Sequence, residues 1–195
     1  MNSLNTQEGI SGVLNFNKSR LSTQFKDSAS DGQLKFMDSF HILRKQVDVG
    51  NRQFLVDSTT KKIDGVSDFD QNKFEPGKVL IVDRIKIGYD KDTDEGKEGV
   101  LGYQKALPPA FRNAKLVITQ DGKLGEYPLS ELVNKYTGNS IQDDYLMLKH
   151  PIVLVGGSEF VFELVFPKGV SDTGTEKHYL ELTASGIVVQ RSTAA

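Results

Sequence analysis

Phe160-Val161-Phe162-Glu163-Leu164-Val165-Phe166 is the stretch on which the fold turns. Phe160, Phe162, Leu164 and Phe166 recur at every second position, while Glu159 and Glu163 fall in the opposite phase. A strand places alternate side chains on opposite faces, whereas helical spacing would scatter these four around an axis. Aromatic and β-branched residues also suit a pleated surface. The stretch therefore predicts a half-buried strand over Ser158–Phe166, its apolar face in a core and its two glutamates on the solvent side.

The same pattern extends outward. Gly156-Gly157 offers a tight hairpin back to Ile152–Val155, with Tyr145–Lys149 before it; Lys177–Thr183 follows, and Gly186 leads into Ile187–Gln190. Upstream, Lys78–Tyr89 is the longest strand candidate, with Ile81, Ile85, Ile87 and Tyr89 assigned to one face and Leu80 and Val82 to the other. Ala114–Thr119, Asp121-Gly122 and Lys123–Tyr127 read as a hairpin, because Asp-Gly tolerates the positive φ of a turn that matches strand twist. Arg52–Val56 is a further short strand. Pro128 opens a helix of about two turns, with Leu129, Leu132, Val133 and Tyr136 on one side, Lys135 near its end and Gly138 beyond it. Asp31 precedes Gln33–Gln46, where Phe36, Phe40, Leu43 and Val47 predict a short amphipathic helix. Residues 1–31 carry isolated Ile10, Val13, Leu14, Phe16, Leu21 and Phe25 among polar residues and read as an extended arm.

These elements predict a mainly β protein: a two-sheet, jelly-roll-like sandwich of about eight strands with one or two short helices and an N-terminal arm. The expected division is 1–50 for the arm and amphipathic helix and 51–195 for the β-sandwich domain. A chain of 195 residues is long enough to bury one core unaided. It contains no cysteine, which excludes disulfides, thiolate metal sites and cysteine nucleophiles. Lys+Arg 24 against Asp+Glu 26 leaves a net charge of −2, so no overall field draws it to nucleic acid or anionic lipid. Neither a basic, apolar leader nor a membrane-length apolar run is visible.

Candidate chemistry is sparse. Asp90-Lys91-Asp92-Thr93-Asp94-Glu95-Gly96 alternates carboxylates as calcium loops do, but Glu95 stands where the helix-loop-helix pattern needs glycine and Leu101 where it needs the bidentate glutamate. His41, His150 and His178 are too far apart in sequence to suggest zinc. Ser158 follows Gly156-Gly157, yet Phe160 breaks the Gly-x-Ser-x-Gly elbow. Glu159 and Glu163 could pair as acid and base in glycoside hydrolysis, but the alternation places them on a solvent face. No glycine-rich phosphate loop is present. Between Met1 and Val47 six basic residues face four acidic ones, too small an excess for more than a minor phosphate contact. No catalytic, cofactor-binding or metal residue is assigned, and no enzymatic activity is expected. The long polar connection 57–77 is of a length that is unusual in a compact domain and often functional or mobile, and 91–109 is a second irregular connection.

The order of these features, "KVLIVDRIKIGYD", then "LPPAFRNAKLVITQDGKLGEYPLSEL", then "HPIVLVGGSEFVFELVFPKGV" before "HYLELTASGIVV", resembles the layout of jelly-roll virion structural proteins of icosahedral bacteriophages over residues 51 to 190. The resemblance carries no site residues. It implies a major, vertex or minor capsid component made in the host cytoplasm and residing in the virion, with copies of itself and other virion proteins as partners. The alternative reading is a carbohydrate-binding sandwich in which Tyr89, Tyr103 or Tyr145 stacks on sugar and the acidic loop holds calcium; the absence of tryptophan counts against it.

Overall fold

A computed structural model describes residues 7–50, 52–133, 145–171 and 174–192. Among them eight strands form: β1 (Leu34–Val47), β2 (Arg52–Val56), β3 (Lys78–Asp92), β4 (Lys115–Thr119), β5 (Lys123–Pro128), β6 (Leu146–Val155), β7 (Val161–Val165) and β8 (Lys177–Arg191). Two helices precede them, α1 (Gln7–Phe16) and α2 (Thr23–Ser30), and two single turns, α3 (Pro109–Arg112) and α4 (Leu129–Leu132), interrupt the strands. The strands make two four-stranded sheets ordered β1-β8-β3-β6 and β2-β7-β4-β5. All pairings are antiparallel.

That order is a jelly roll. β1 pairs with β8, β2 with β7, β3 with β6 and β4 with β5, as in one long hairpin whose tip is the turn after Thr119. Rolling the hairpin sends successive pairs to alternate sheets, and the lateral pairings of β3 with β8 and of β4 with β7 join them.

The β7 alternation does what its pattern demands: Phe160, Phe162, Leu164 and Phe166 are all buried in the core between the sheets. β3 behaves differently from a simple alternation. Its register shifts between Val82 and Arg84, so Leu80, Val82, Ile85, Ile87 and Tyr89 share the inter-sheet core while Val79 and Ile81 face the opposite way. The bulge inserts one residue and reverses the phase, which moves Ile81 away from the face assigned to it with Ile85.

Val79 and Ile81 belong to a second core, with Val153, Val155 and Val189 from the same sheet, Ile10 and Leu14 from α1, Phe25 from α2 and Leu21 from the turn between them. Residues 7–30 are therefore two helices laid on the outer face of the first sheet, where an extended arm was expected. Ile10, Val13 and Leu14 fall at i, i+3 and i+4, and Ser22 caps α2 by accepting the Phe25 amide at 3.2 Å.

The helix expected over Gln33–Gln46 is also corrected. This segment is β1, paired with β8 from Leu34↔Arg191 to Val47↔His178. Its apolar residues divide between two faces: Leu34 and Phe36 pack toward the helices, Leu43 and Val47 toward the inter-sheet core. A run of ladder bonds along the whole segment outweighs the weak helical stripe. It follows that the sandwich begins before residue 51.

Two pairs of predicted strands fuse. β6 runs through Pro151, which an edge strand tolerates because no ladder bond needs its missing N–H. β8 runs through Gly186, where a Cβ would collide with the carbonyl oxygen of Ile81 at the β3 bulge. The helix at Pro128 is a single turn, Leu129–Leu132; Lys135, Tyr136 and Gly138 lie outside the described residues. At the Asp121-Gly122 turn both residues have positive φ, 55° and 141°.

Candidate functional site

The acidic segment at the end of β3 is held together by its own chain. Asp90 accepts the amides of Gly102 and Tyr103, each at 3.1 Å, and sits 2.6 Å from Lys105 Nζ. Burial works to raise its pKa, but Lys105 and the amides of Lys91 and Tyr103 outweigh that and hold it below the usual carboxylate value. Asp94 pairs with Lys97 and Glu95 with Lys177. Among the described residues no three metal-ligating side chains converge.

The other sequence candidates are scattered. His41 lies under Phe69 and Phe74, its Nδ1 2.8 Å from Ser39 Oγ, and burial with the nearby Lys78 drives its pKa down to about 4. His178 meets the Tyr89 hydroxyl at 2.7 Å and packs on Phe111, whereas His150 is exposed on β6. Ser158 serves a turn, its carbonyl accepting the Gln120 amide at 3.0 Å. Tyr89 and Tyr103 are buried, which removes them as stacking platforms for a sugar; Lys86 lies 5.1 Å over the Tyr145 ring.

Glu159 and Glu163 separate. Glu159 is exposed, but Glu163 is 9 % exposed in mid-sheet, opposite Phe54 and Val117. Its Oε1 has no hydrogen-bond partner, and Arg52 Nε stands at 3.5 Å. The alternation assigned Glu163 to the correct face but not its burial, which comes from neighbours on β2 and β4 that only the register reveals.

Several large apolar side chains lie on the surface among the described residues. Phe16 is 91 % and Val100 78 % exposed, and Phe40, Phe54, Ile63 and Met147 also present large apolar area on separate parts of the molecule. An apolar groove of about 700 Å³ runs between α1 and the β5–β6 side of the sandwich, lined by Val13, Phe16, Leu124 and Ile152 and bordered by Arg20 and Lys123. Arg20 is fixed there by neutral acceptors: Gln120 Oε1 at 2.8 Å, the Val153 carbonyl at 3.1 Å and Asn17 Oδ1 at 3.4 Å. Gln120 in turn accepts the Val155 amide and donates to the Val155 carbonyl, both at 2.8 Å, tying the β4–β5 tip across to β6. Sequence reading counted Arg20 only among the six basic residues of 1–47 and did not single out Gln120, because a lone arginine and a lone glutamine carry no pattern.

No protein-family model matches this chain, and no curated protein matches it. No helix among the described residues is long and apolar enough to cross a membrane.

Proposed function

We propose that this protein is a structural component of an icosahedral bacteriophage virion, acting by contact with copies of itself and with other virion proteins and catalysing nothing. The observation that carries the reading is the strand order β1-β8-β3-β6 with β2-β7-β4-β5, the jelly roll on which viral capsid domains are built. The same roll also serves lectins and cupins, so the choice among them rests on the surface. Exposed apolar side chains lie on several sides, as a subunit with several neighbours requires. A lectin-like site loses Tyr89 and Tyr103 to the interior.

The test is assembly. Sedimentation velocity and negative-stain microscopy across a wide concentration and salt range should reveal defined oligomers or closed particles. A monomer that stays monomeric throughout, and that also fails to enter particles with any co-expressed virion protein, defeats the proposal.

A further inference from the structure

We infer that two copies of this chain meet head to tail, the Glu98-Gly99-Val100 corner of one seating in the groove between α1 and the β5–β6 side of the next. This rests on the assembly reading above and gives it a specific contact.

The two surfaces match in kind. The groove is apolar along Val13, Phe16, Leu124 and Ile152, with Glu8 at the start of α1 bordering one end and Arg20, beyond the end of α1, the other. Arg20 makes no ion pair among the described residues, and its neutral partners hold the guanidinium in place without discharging it. The loop after β3 is the reverse. Residues 92–100 carry Asp92, Asp94, Glu95 and Glu98 against Lys97 alone. Asp94 and Glu95 are already matched by Lys97 and Lys177, while Glu98 makes no ion pair among the described residues. Two residues on, Val100 is 78 % exposed. One surface thus offers an unmatched cation beside an apolar trough, and the other an unmatched carboxylate beside an apolar knob. A wholly apolar occupant would leave Arg20 unanswered, whereas this corner answers both features at the Arg20 end of the groove.

The loop itself is well braced for such a role. Asp90 anchors its far side through the amides of Gly102 and Tyr103, and the Tyr103 hydroxyl donates to the Glu98 carbonyl at 2.8 Å. Little ordering entropy remains to be lost on docking.

The placement also bears on symmetry. The corner leaves the sheet where β3 ends and β8 begins, whereas the groove lies by the end of β6 and the β4–β5 turn, next to the start of β3. In the head-to-tail arrangement these different patches make a heterologous contact, which propagates into a ring or an open chain.

A charge swap tests it. Arg20→Glu and Glu98→Arg should each weaken self-association at least tenfold by sedimentation velocity, and an equimolar mixture of the two should recover it, because each groove then faces a corner of opposite sign. Lys123→Glu, at the exposed start of β5, serves as a second groove variant if Arg20→Glu lowers the thermal midpoint; Val100→Asp tests the apolar half. If the wild type associates but none of these variants weakens it, or if the mixture fails to recover, the contact is wrong while the assembly reading stands. If the wild type never associates with itself, the contact falls, and the assembly reading then depends on other virion proteins.

Discussion

The two sheets treat their outer faces in opposite ways. The first covers its outer face with α1 and α2, making a second core of Val79, Ile81, Val153, Val155 and Val189 under Ile10, Leu14, Leu21 and Phe25. The second leaves its outer face without a helix among the described residues, and there an exposed Phe54 sits beside a buried Glu163 whose Oε1 lacks a donor. The covered face is built for stability, and its residues follow ordinary rules of burial. The open face departs from those rules at Phe54 and Glu163.

The largest expected effect breaks the covered side. Removing residues 1–31 strips four side chains from the outer core, each worth roughly 1.5–3 kcal/mol of burial. Their sum is comparable with the whole stability of a typical domain, about 5–15 kcal/mol. The truncated chain should lose its cooperative thermal transition; retention of the full-length midpoint would show that the helices merely rest on the sheet. The arm expected from sequence alone would have been dispensable, so this experiment separates the two descriptions directly.

A finer cut compares one residue from each core. Phe25→Ala beneath α2 and Phe162→Ala between the sheets remove equally buried rings, and each should cost about 3–5 kcal/mol in urea unfolding. A loss under about 1 kcal/mol for Phe25→Ala would mean that the outer layer relaxes where the inner one cannot.

The side of the sandwich adds a pH-dependent element. His41 is neutral in its setting of Phe69 and Phe74, with its pKa lowered from 6.5 to about 4 by burial first and Lys78 next. The unfolded chain takes up the proton at a higher pH than the folded one, so stability is complete above pH 6.5 and falls as pH drops toward 4. The loss should be about 3 kcal/mol, with 1.36 kcal/mol for each pH unit of displacement. His41→Leu should flatten that part of the stability profile, and an unchanged profile would assign acid sensitivity to the carboxylates.

The smallest effect has the opposite sign. Glu163→Leu replaces a buried, incompletely bonded carboxylate by an apolar side chain and should leave stability unchanged or raise it by about 1 kcal/mol. A fall of about 2 kcal/mol or more would mean that Arg52, at 3.5 Å, is a better partner than the geometry indicates.

Much of this architecture was legible in single strands. The β7 alternation, the β4–β5 hairpin at Asp121-Gly122 and the span of β2 all follow from local pattern, because each presents one face to one core. Legibility failed wherever a segment serves two cores. β1 spreads Phe36, Phe40, Leu43 and Val47 across both faces, so its period-2 order resembles a helical stripe. β3 changes phase at its bulge, and no residue type near Asp83 announces the insertion. Gly186 read as a break because glycine usually punctuates strands, whereas here it lets β8 pass the Ile81 carbonyl. The groove at Arg20 was invisible for a related reason: its walls come from residues 13–20, 123–124 and 150–153, which only the roll brings together.

One consequence of the rolled hairpin concerns the order of events during synthesis. β8 lies between β1 and β3, pairing Leu34 and Lys78 with Arg191 and Gln190, so the first sheet lacks its central strand until residues near 190 have left the ribosome. Until that moment α1 and α2 have no completed surface to cover, and the nascent polypeptide must wait with its apolar strands exposed. Loop closures of this length are slow, which makes newly made chains the stage most in need of a chaperone.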